Sequence, residues 1–168
     1  MKTNEKLEET KFFLELLDAL EKRGESLTNN GDTEKEASYI LSAILNGFYS
    51  VTELAKETNK EKVSDIKAFK KDNPIIYAGS GKGGLRNTTV HVKHINIDHS
   101  GYIPPKGNEI NFNYKKKPKL IVEEQNNTND IKINLVPYFY IEVDKSMKRV
   151  VELADNHYYE LNNFISGL

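Results

Sequence analysis

The 168-residue chain is long enough for one domain, residues 1–168, and is 38% hydrophobic and 29% charged, as globular proteins are. Its net charge of −1 excludes an overall basic field, and the absence of cysteine excludes disulfides, thiolate metal sites and thiol nucleophiles. Because the start is polar and no apolar run approaches the length of a membrane span, we expect a cytoplasmic protein without a signal peptide or membrane partner.

Two amphipathic helices are predicted at the start of the chain. The first covers Asn4–Arg23 and ends at Gly24, a residue that favours the left-handed position after a helix. The second opens at Thr33, which has the capping-box spacing to Glu36. A second stripe of this helix has small side chains, which predicts close approach of another helix: Ala43, Gly47 and Ser50.

The glycine-rich segment 78–84 predicts a break in the third helix, or a restart just before Leu85. A phosphate-binding P-loop does not fit, because Ile76 stands where the first glycine is required and Gly83 follows Lys82. Two interpretations remain open. The segment is either a mobile cationic lip whose Lys82 contacts RNA phosphates, or its glycines pack closely against the small stripe of the second helix.

Arg86 and His91 follow this segment with four residues between them. Histidine exchanges protons near neutral pH, and arginine offers a planar fork of donors that fits phosphate oxygens. This pair of residue types is therefore suited to chemistry on a phosphodiester.

Further histidines follow at His94 and His99, with Asp98 beside the second. Such a cluster can bind a transition metal, but we expect one functional histidine, His91, and two exposed ones, with no metal site. If the segment is helical, His91 and His94 share a face; if it is extended, they point to opposite faces.

The last third of the chain changes from helical to strand-like patterns before a final helix. Two strand-like runs, 119–123 and 131–135, flank a turn-rich segment and predict a β-hairpin. The aromatic run 138–141 is expected in the core, and Lys115–Lys117 on a solvated surface, with base stacking and RNA contact as the alternatives. A final helix is predicted from about Val143, with apolar residues at Met147, Val150, Val151, Leu153, Ala154, Tyr158, Leu161 and Ile165.

Three segments together resemble HEPN-like proteins: 36–51 their second helix, 69–77 the start of their third helix, and 85–91 their R-x4-6-H motif. The resemblance implies an all-α, up-and-down helical bundle, here with the β-hairpin inserted before the C-terminal helix. It also implies a homodimer with the motif in a cleft at its interface. By this resemblance Arg86 and His91 are catalytic, Asn87 supports them, and Glu36 orients Arg86.

The function implied by the resemblance is a metal-independent RNA endonuclease without a cofactor, in a toxin–antitoxin or anti-phage defence setting with a partner protein. Lys82 and Lys93 are expected to bind RNA. HEPN toxins modified by a nucleotidyltransferase usually carry a tyrosine where this chain has Lys93, which argues against that partnership. The alternative is a catalytically inactive HEPN-like module that binds RNA or a protein partner.

Overall fold

The computed structural model describes residues 2–29, 31–79, 83–91, 93–103, 111–113, 120–123, 132–135 and 138–168, excluding the side chains of residues 91, 100–103, 111–113, 120–123 and 132–135. The helices are α1 (Lys2–Arg23), α2 (Thr33–Thr58), α3 (Val63–Asp72), α4 (Pro74–Tyr77), α5 (Leu85–His91) and α6 (Val150–Ser166). The strands are β1 (Asp98–Ile103), β2 (Asn111–Asn113), β3 (Leu120–Glu123), β4 (Lys132–Leu135), β5 (Tyr138–Val143) and β6 (Ser146–Arg149). Within these ranges no helix is both long and apolar enough to cross a membrane.

Helix α2 is the centre of the fold, and α1, α5 and α6 all pack against it. Its apolar stripe is fully buried at Ile44, Phe48 and Val51. Gly47 belongs to the predicted small stripe, and a Cβ atom at this position would overlap the side chain of Thr10 on α1. The predicted close approach of another helix is therefore confirmed, and α1 is the helix that makes it.

The start of α2 is capped differently from the prediction. Asp32, rather than Thr33, is the N-cap, and its carboxylate accepts a hydrogen bond from the Lys35 amide at 2.9 Å. Glu36 faces the preceding loop, where it accepts hydrogen bonds from the amides of Leu27 and Thr28. The predicted capping box is wrong, because an aspartate one residue earlier is an equally good cap.

The strands form two antiparallel sheets, and residues 124–131 lie outside the described part of the chain. The predicted hairpin is confirmed as β3 paired with β4, from Leu120 opposite Leu135 to Glu123 opposite Lys132. A second sheet with the order β2-β1-β5-β6 accompanies it. The fold is thus mostly helical with a β-hairpin before the last helix, as predicted, and has more sheet than expected.

The last helix begins at Val150, seven residues after the predicted start. Residues 138–149 form the β5–β6 hairpin instead, with Asp144 and Lys145 at φ 50° and 62° in its turn. Met147 therefore lies on β6, 40% exposed, and not on an apolar helix face. Phe139 and its neighbours in β5 are buried, which confirms the core interpretation of the aromatic run.

Buried Glu21 joins α1 to this hairpin. Its carboxylate accepts hydrogen bonds from the Phe139 amide at 2.6 Å and from Arg149 Nη2 at 2.7 Å. Burial raises the pKa of Glu21, while these two partners oppose the rise. A buried carboxylate is stable only with such partners, so Glu21 fixes where the sheet meets α1.

A second buried polar pair joins α4 to α6. The Tyr77 hydroxyl lies 2.9 Å from Nε2 of His157, whose ring packs edge-on against Phe48 and also contacts Phe69. Burial lowers the pKa of His157 to about 4. The folded protein therefore holds this imidazole in its neutral form.

We expect stability to fall with acidification through His157. An unfolded histidine has a pKa near 6.5, so between about pH 6.5 and pH 4 the unfolded state binds a proton that the folded state excludes. The contribution of His157 to the free energy of unfolding is complete above this pH window. Within the window it is lost at up to about 1.4 kcal/mol per pH unit. Urea denaturation from about pH 7 to about pH 5 should therefore show a shallower pH slope for His157→Phe than for the wild type.

Tyr77→Phe is the matched control, because it removes the hydrogen bond and keeps the imidazole. It should lower the free energy of unfolding at every pH and retain the wild-type slope. A His157→Phe variant with the full wild-type slope would contradict the assignment.

Candidate functional site

Helix α5 is separated from α4 by a glycine-rich loop, as the sequence predicts. Gly83 has φ +74°, and a Cβ atom on Gly84 would overlap the backbone of Ala78. The two ends of the loop meet at Ala78 and Gly84, and we call this close contact the neck. The Asn87 side chain also joins it, because its Nδ2 donates to the Ala78 carbonyl at 2.7 Å. Close approach at Gly84 and one side-chain hydrogen bond thus set the position of α5.

Arg86 is held against the central helix by an aromatic ring. Its guanidinium carbon lies 3.9 Å from the centroid of the Tyr49 ring on α2, a cation–π geometry. Its Nη1 donates to Oδ1 of Asn87 at 3.2 Å. Asn87 therefore contacts Arg86 with its oxygen and anchors the loop with its nitrogen.

The guanidinium of Arg86 has no carboxylate partner among the described residues. Its Nε is buried and makes no hydrogen bond within the same part of the chain. Glu36, which the resemblance suggests as its partner, faces the loop at residues 26–28 instead. That expectation is wrong, because the loop amides saturate the Glu36 carboxylate.

A second cation lies on the same tyrosine. Lys70 on α3 places its Nζ 4.0 Å from the Tyr49 ring centroid and 2.9 Å from a carboxylate oxygen of Glu53. Lys56 donates to the same Glu53 oxygen at 2.8 Å. Three cations, including Arg86, therefore surround one ring and one carboxylate.

The pKa values within this cluster follow from burial and from its excess of positive charge. Burial lowers the pKa of Lys70, the bond to Glu53 opposes this change, and the charges of Lys56 and Arg86 lower the pKa further. Burial alone would raise the pKa of Glu53, but its two lysine partners outweigh burial and hold the pKa below its usual value. The cluster is thus an electropositive site that favours an anion.

Of the other predicted site residues, only Lys93 has a described side chain. His91 is the last residue of α5, but its side chain lies outside the described part of the chain, as do Lys82 and Lys115–Lys117. Lys93 is exposed two residues beyond α5, and its amide donates to the Thr88 carbonyl at 3.0 Å. The structure brings Arg86 and Asn87 together and gives Lys93 free access to solvent.

The two remaining histidines of the cluster differ in environment. His94 is exposed, as predicted, with its ring edge-on to Tyr39 at 4.9 Å between centroids. His99 was expected to be exposed, but it is buried. It lies on β1 opposite Phe139 of β5, and its ring packs against that side chain. Burial lowers its pKa. Among the described residues, no group of three or more histidines and carboxylates is close enough to hold a metal ion.

Three clefts lie away from Arg86. One of about 470 Å³ is lined by α1 and α6, one of about 370 Å³ by the start of α2 and residues 94–98, and one of about 280 Å³ by α4 and α6. Arg86 lines none of these three.

Sequence reasoning missed Tyr49, Glu53 and Lys70. Tyr49 stands next to buried Phe48 in α2 and resembles any tyrosine at the border of an apolar stripe. Lys70 is one of several lysines of α3. The spacing of Tyr49 and Glu53, one helical turn apart, was the single available signal, because residues at i and i+4 share a face.

We expect Gly84→Ala to lower the free energy of unfolding by about 1–3 kcal/mol, because the new methyl group forces the backbones at Gly84 and Ala78 apart. Gly79→Ala is the matched control, since a Cβ atom there meets nothing within 4 Å. Chemical denaturation of both variants tests the difference. Equal stabilities would show that the neck can open freely, as the lip interpretation of the loop requires.

Comparisons of the chain with protein-family models, with curated proteins and with solved structures each found no match. The geometry around Arg86 and the pattern of the sequence are therefore what supports an assignment of function.

Proposed function

We propose that this chain is a metal-independent RNA endonuclease of the HEPN type, with Arg86 and His91 as its catalytic pair. The observation that carries the proposal is the set of contacts made by the Arg86 guanidinium. Its guanidinium is oriented by Tyr49 and Asn87 and has no carboxylate partner among the described residues. A fixed arginine without an acidic partner is available to an anionic ligand.

The placement of His91 on the same short helix adds to this support. The five-residue step from Arg86 to His91 corresponds to about 7.5 Å along a helix axis. Both side chains originate from a helix whose start is fixed by Gly84 and Asn87. The backbones of the two residues are therefore held at a defined separation on one element.

The proposed reaction is an internal transfer within the RNA strand. The 2′-oxygen attacks the neighbouring phosphorus, the bond from phosphorus to the 5′-oxygen breaks, and the products end in a 2′,3′-cyclic phosphate and a 5′-hydroxyl. The reaction needs two proton transfers, one from the 2′-hydroxyl and one to the leaving 5′-oxygen. His91 carries out one of them, and water carries out the other. Arg86 stabilises the negative charge that develops on the phosphorane-like transition state.

We further propose that the protein acts as a homodimer whose interface includes α5. Val90, next to His91 in the chain, is 42% exposed. A two-fold interface that includes α5 would cover this side chain. Two copies of α5 at one interface would bring two Arg86–His91 pairs together.

The alternative function is an inactive HEPN-like module that binds RNA or a protein. One observation favours it: the Asn87 amide donates to Ala78 and accepts from Arg86, and both contacts serve the structure rather than a reacting phosphate. The same electropositive cluster would then hold a phosphate without cleaving the strand.

We expect purified protein to cleave RNA in the presence of EDTA, and His91→Ala and Arg86→Ala each to reduce the rate by at least about a hundredfold. His94→Ala is the matched control, because His94 is an exposed histidine three residues away and should leave the rate unchanged. Gel analysis of the product ends tests for the cyclic phosphate. Cleavage that depends on added divalent metal would contradict the mechanism, and cleavage of no RNA would favour the binding module.

We expect Val90→Asp to convert a dimer into a monomer and to reduce cleavage in parallel. Phe12→Asp is its control, because Phe12 is 60% exposed but lies on α1. Light scattering at tens of micromolar protein measures the change. A wild-type protein that is monomeric at this concentration contradicts the composite site.

A further inference from the structure

Tyr49 is the common neighbour of two cations from different helices. Both Arg86 Cζ and Lys70 Nζ lie about 4 Å from its ring centroid, so the two charges are at most about 8 Å apart. Like charges at this distance repel each other, and the ring face compensates only in part. Their proximity therefore raises the affinity of the site for an anion.

Lys70 makes one hydrogen bond within the described part of the chain, which leaves donors for such a ligand. An ammonium group has three N–H donors, and one of those of Lys70 serves the Glu53 carboxylate at 2.9 Å. The Lys70 side chain is 17% exposed, so its position is fixed but solvent still reaches it. Its remaining donors are available to an oxyanion that approaches Arg86.

Glu53 carries the negative charge that opposes an incoming phosphate. It is shared by Lys56 and Lys70, and its side chain is 37% exposed. The cluster therefore retains a net positive charge but also holds one repulsive carboxylate. Removal of a lysine and removal of the carboxylate should change anion binding in opposite directions.

We propose that Lys70 binds a second phosphate of the RNA strand whose scissile phosphate contacts Arg86, and that Tyr49 positions both cations. The strand being RNA rests on the proposed function, whereas the anion site itself rests on the described contacts. Lys70 is then a substrate-binding residue that sets the register of the strand, and Glu53 weakens its hold on phosphate. The competing role is a purely structural bridge from α2 to α3 through Glu53.

The test uses a fluorescent 2′-O-methyl RNA oligonucleotide, which binds but lacks the 2′-hydroxyl needed for cleavage. We expect Lys70→Gln to weaken binding and to reduce the slope of log affinity against log salt by about 0.7, the value for one phosphate contact in a single strand. Lys71→Gln is the matched control, because Lys71 is an exposed neighbour on α3. It should leave the slope unchanged.

Glu53→Gln provides the opposite change, and we expect it to tighten binding. Its control is Glu57→Gln, which removes an exposed carboxylate one turn further along α2. A structural bridge predicts another result: Lys70→Gln and Glu53→Gln both lower the melting temperature and neither changes binding. That result overturns the proposal. If Lys70→Gln does not fold, Glu53→Gln alone decides the test. Binding by Glu53→Gln that is no tighter than that of the wild type then overturns the proposal.

Cleavage by the wild-type protein, measured beside these titrations, separates the two proposals. Cleavage together with a salt slope that is unchanged in Lys70→Gln overturns the role of Lys70 and leaves the nuclease intact. Binding that depends on Lys70 without cleavage of any RNA overturns the nuclease and supports the anion site. A wild-type protein that does not bind the oligonucleotide overturns the role of Lys70.

Discussion

Burial of the apolar stripe of α2 is the constraint on which the rest of the structure depends. Phe48 and Val51 are fully buried where α1, α5 and α6 pack against α2, and each large apolar side chain of this kind contributes about 1.5–3 kcal/mol when buried. The rotation of α2 about its axis is thereby set. Tyr49 follows Phe48 in sequence and must lie beside the buried stripe, facing α3 and α5.

The position of Tyr49 decides what Arg86 and Lys70 can do. A flat aromatic face attracts both cations without neutralising them, whereas a carboxylate at the same place would cancel their charge. Glu53, one turn further along α2, provides partial neutralisation for the two lysines only. Charge is therefore retained at Arg86, which is a requirement of any site for phosphate, whether catalytic or not.

The glycine-rich loop illustrates how two sequence interpretations can both miss the contact that matters. Gly84 is buried for close packing, but against the Ala78 backbone and not against the small stripe of α2. That stripe, through Gly47, receives Thr10 of α1. The mobile-lip interpretation now applies only to the central residues of the loop, 80–82, which include Lys82 and lie outside the described part of the chain. Its base is closed by Gly84 and Asn87.

Local patterns in the sequence were sufficient for features that depend on neighbours in the chain. The helical period of α1 and α2, the stop at Gly24 and the β3–β4 hairpin are of this kind, because periodicity and turn residues act over a few positions. The β5–β6 hairpin was missed because Asp144 and Lys145 lack the usual glycine of such a turn. The pairing of Arg86 with Tyr49 and Lys70 was decided only by tertiary structure. Three helices bring these residues together, and no spacing along the chain encodes a contact that depends on how helices pack.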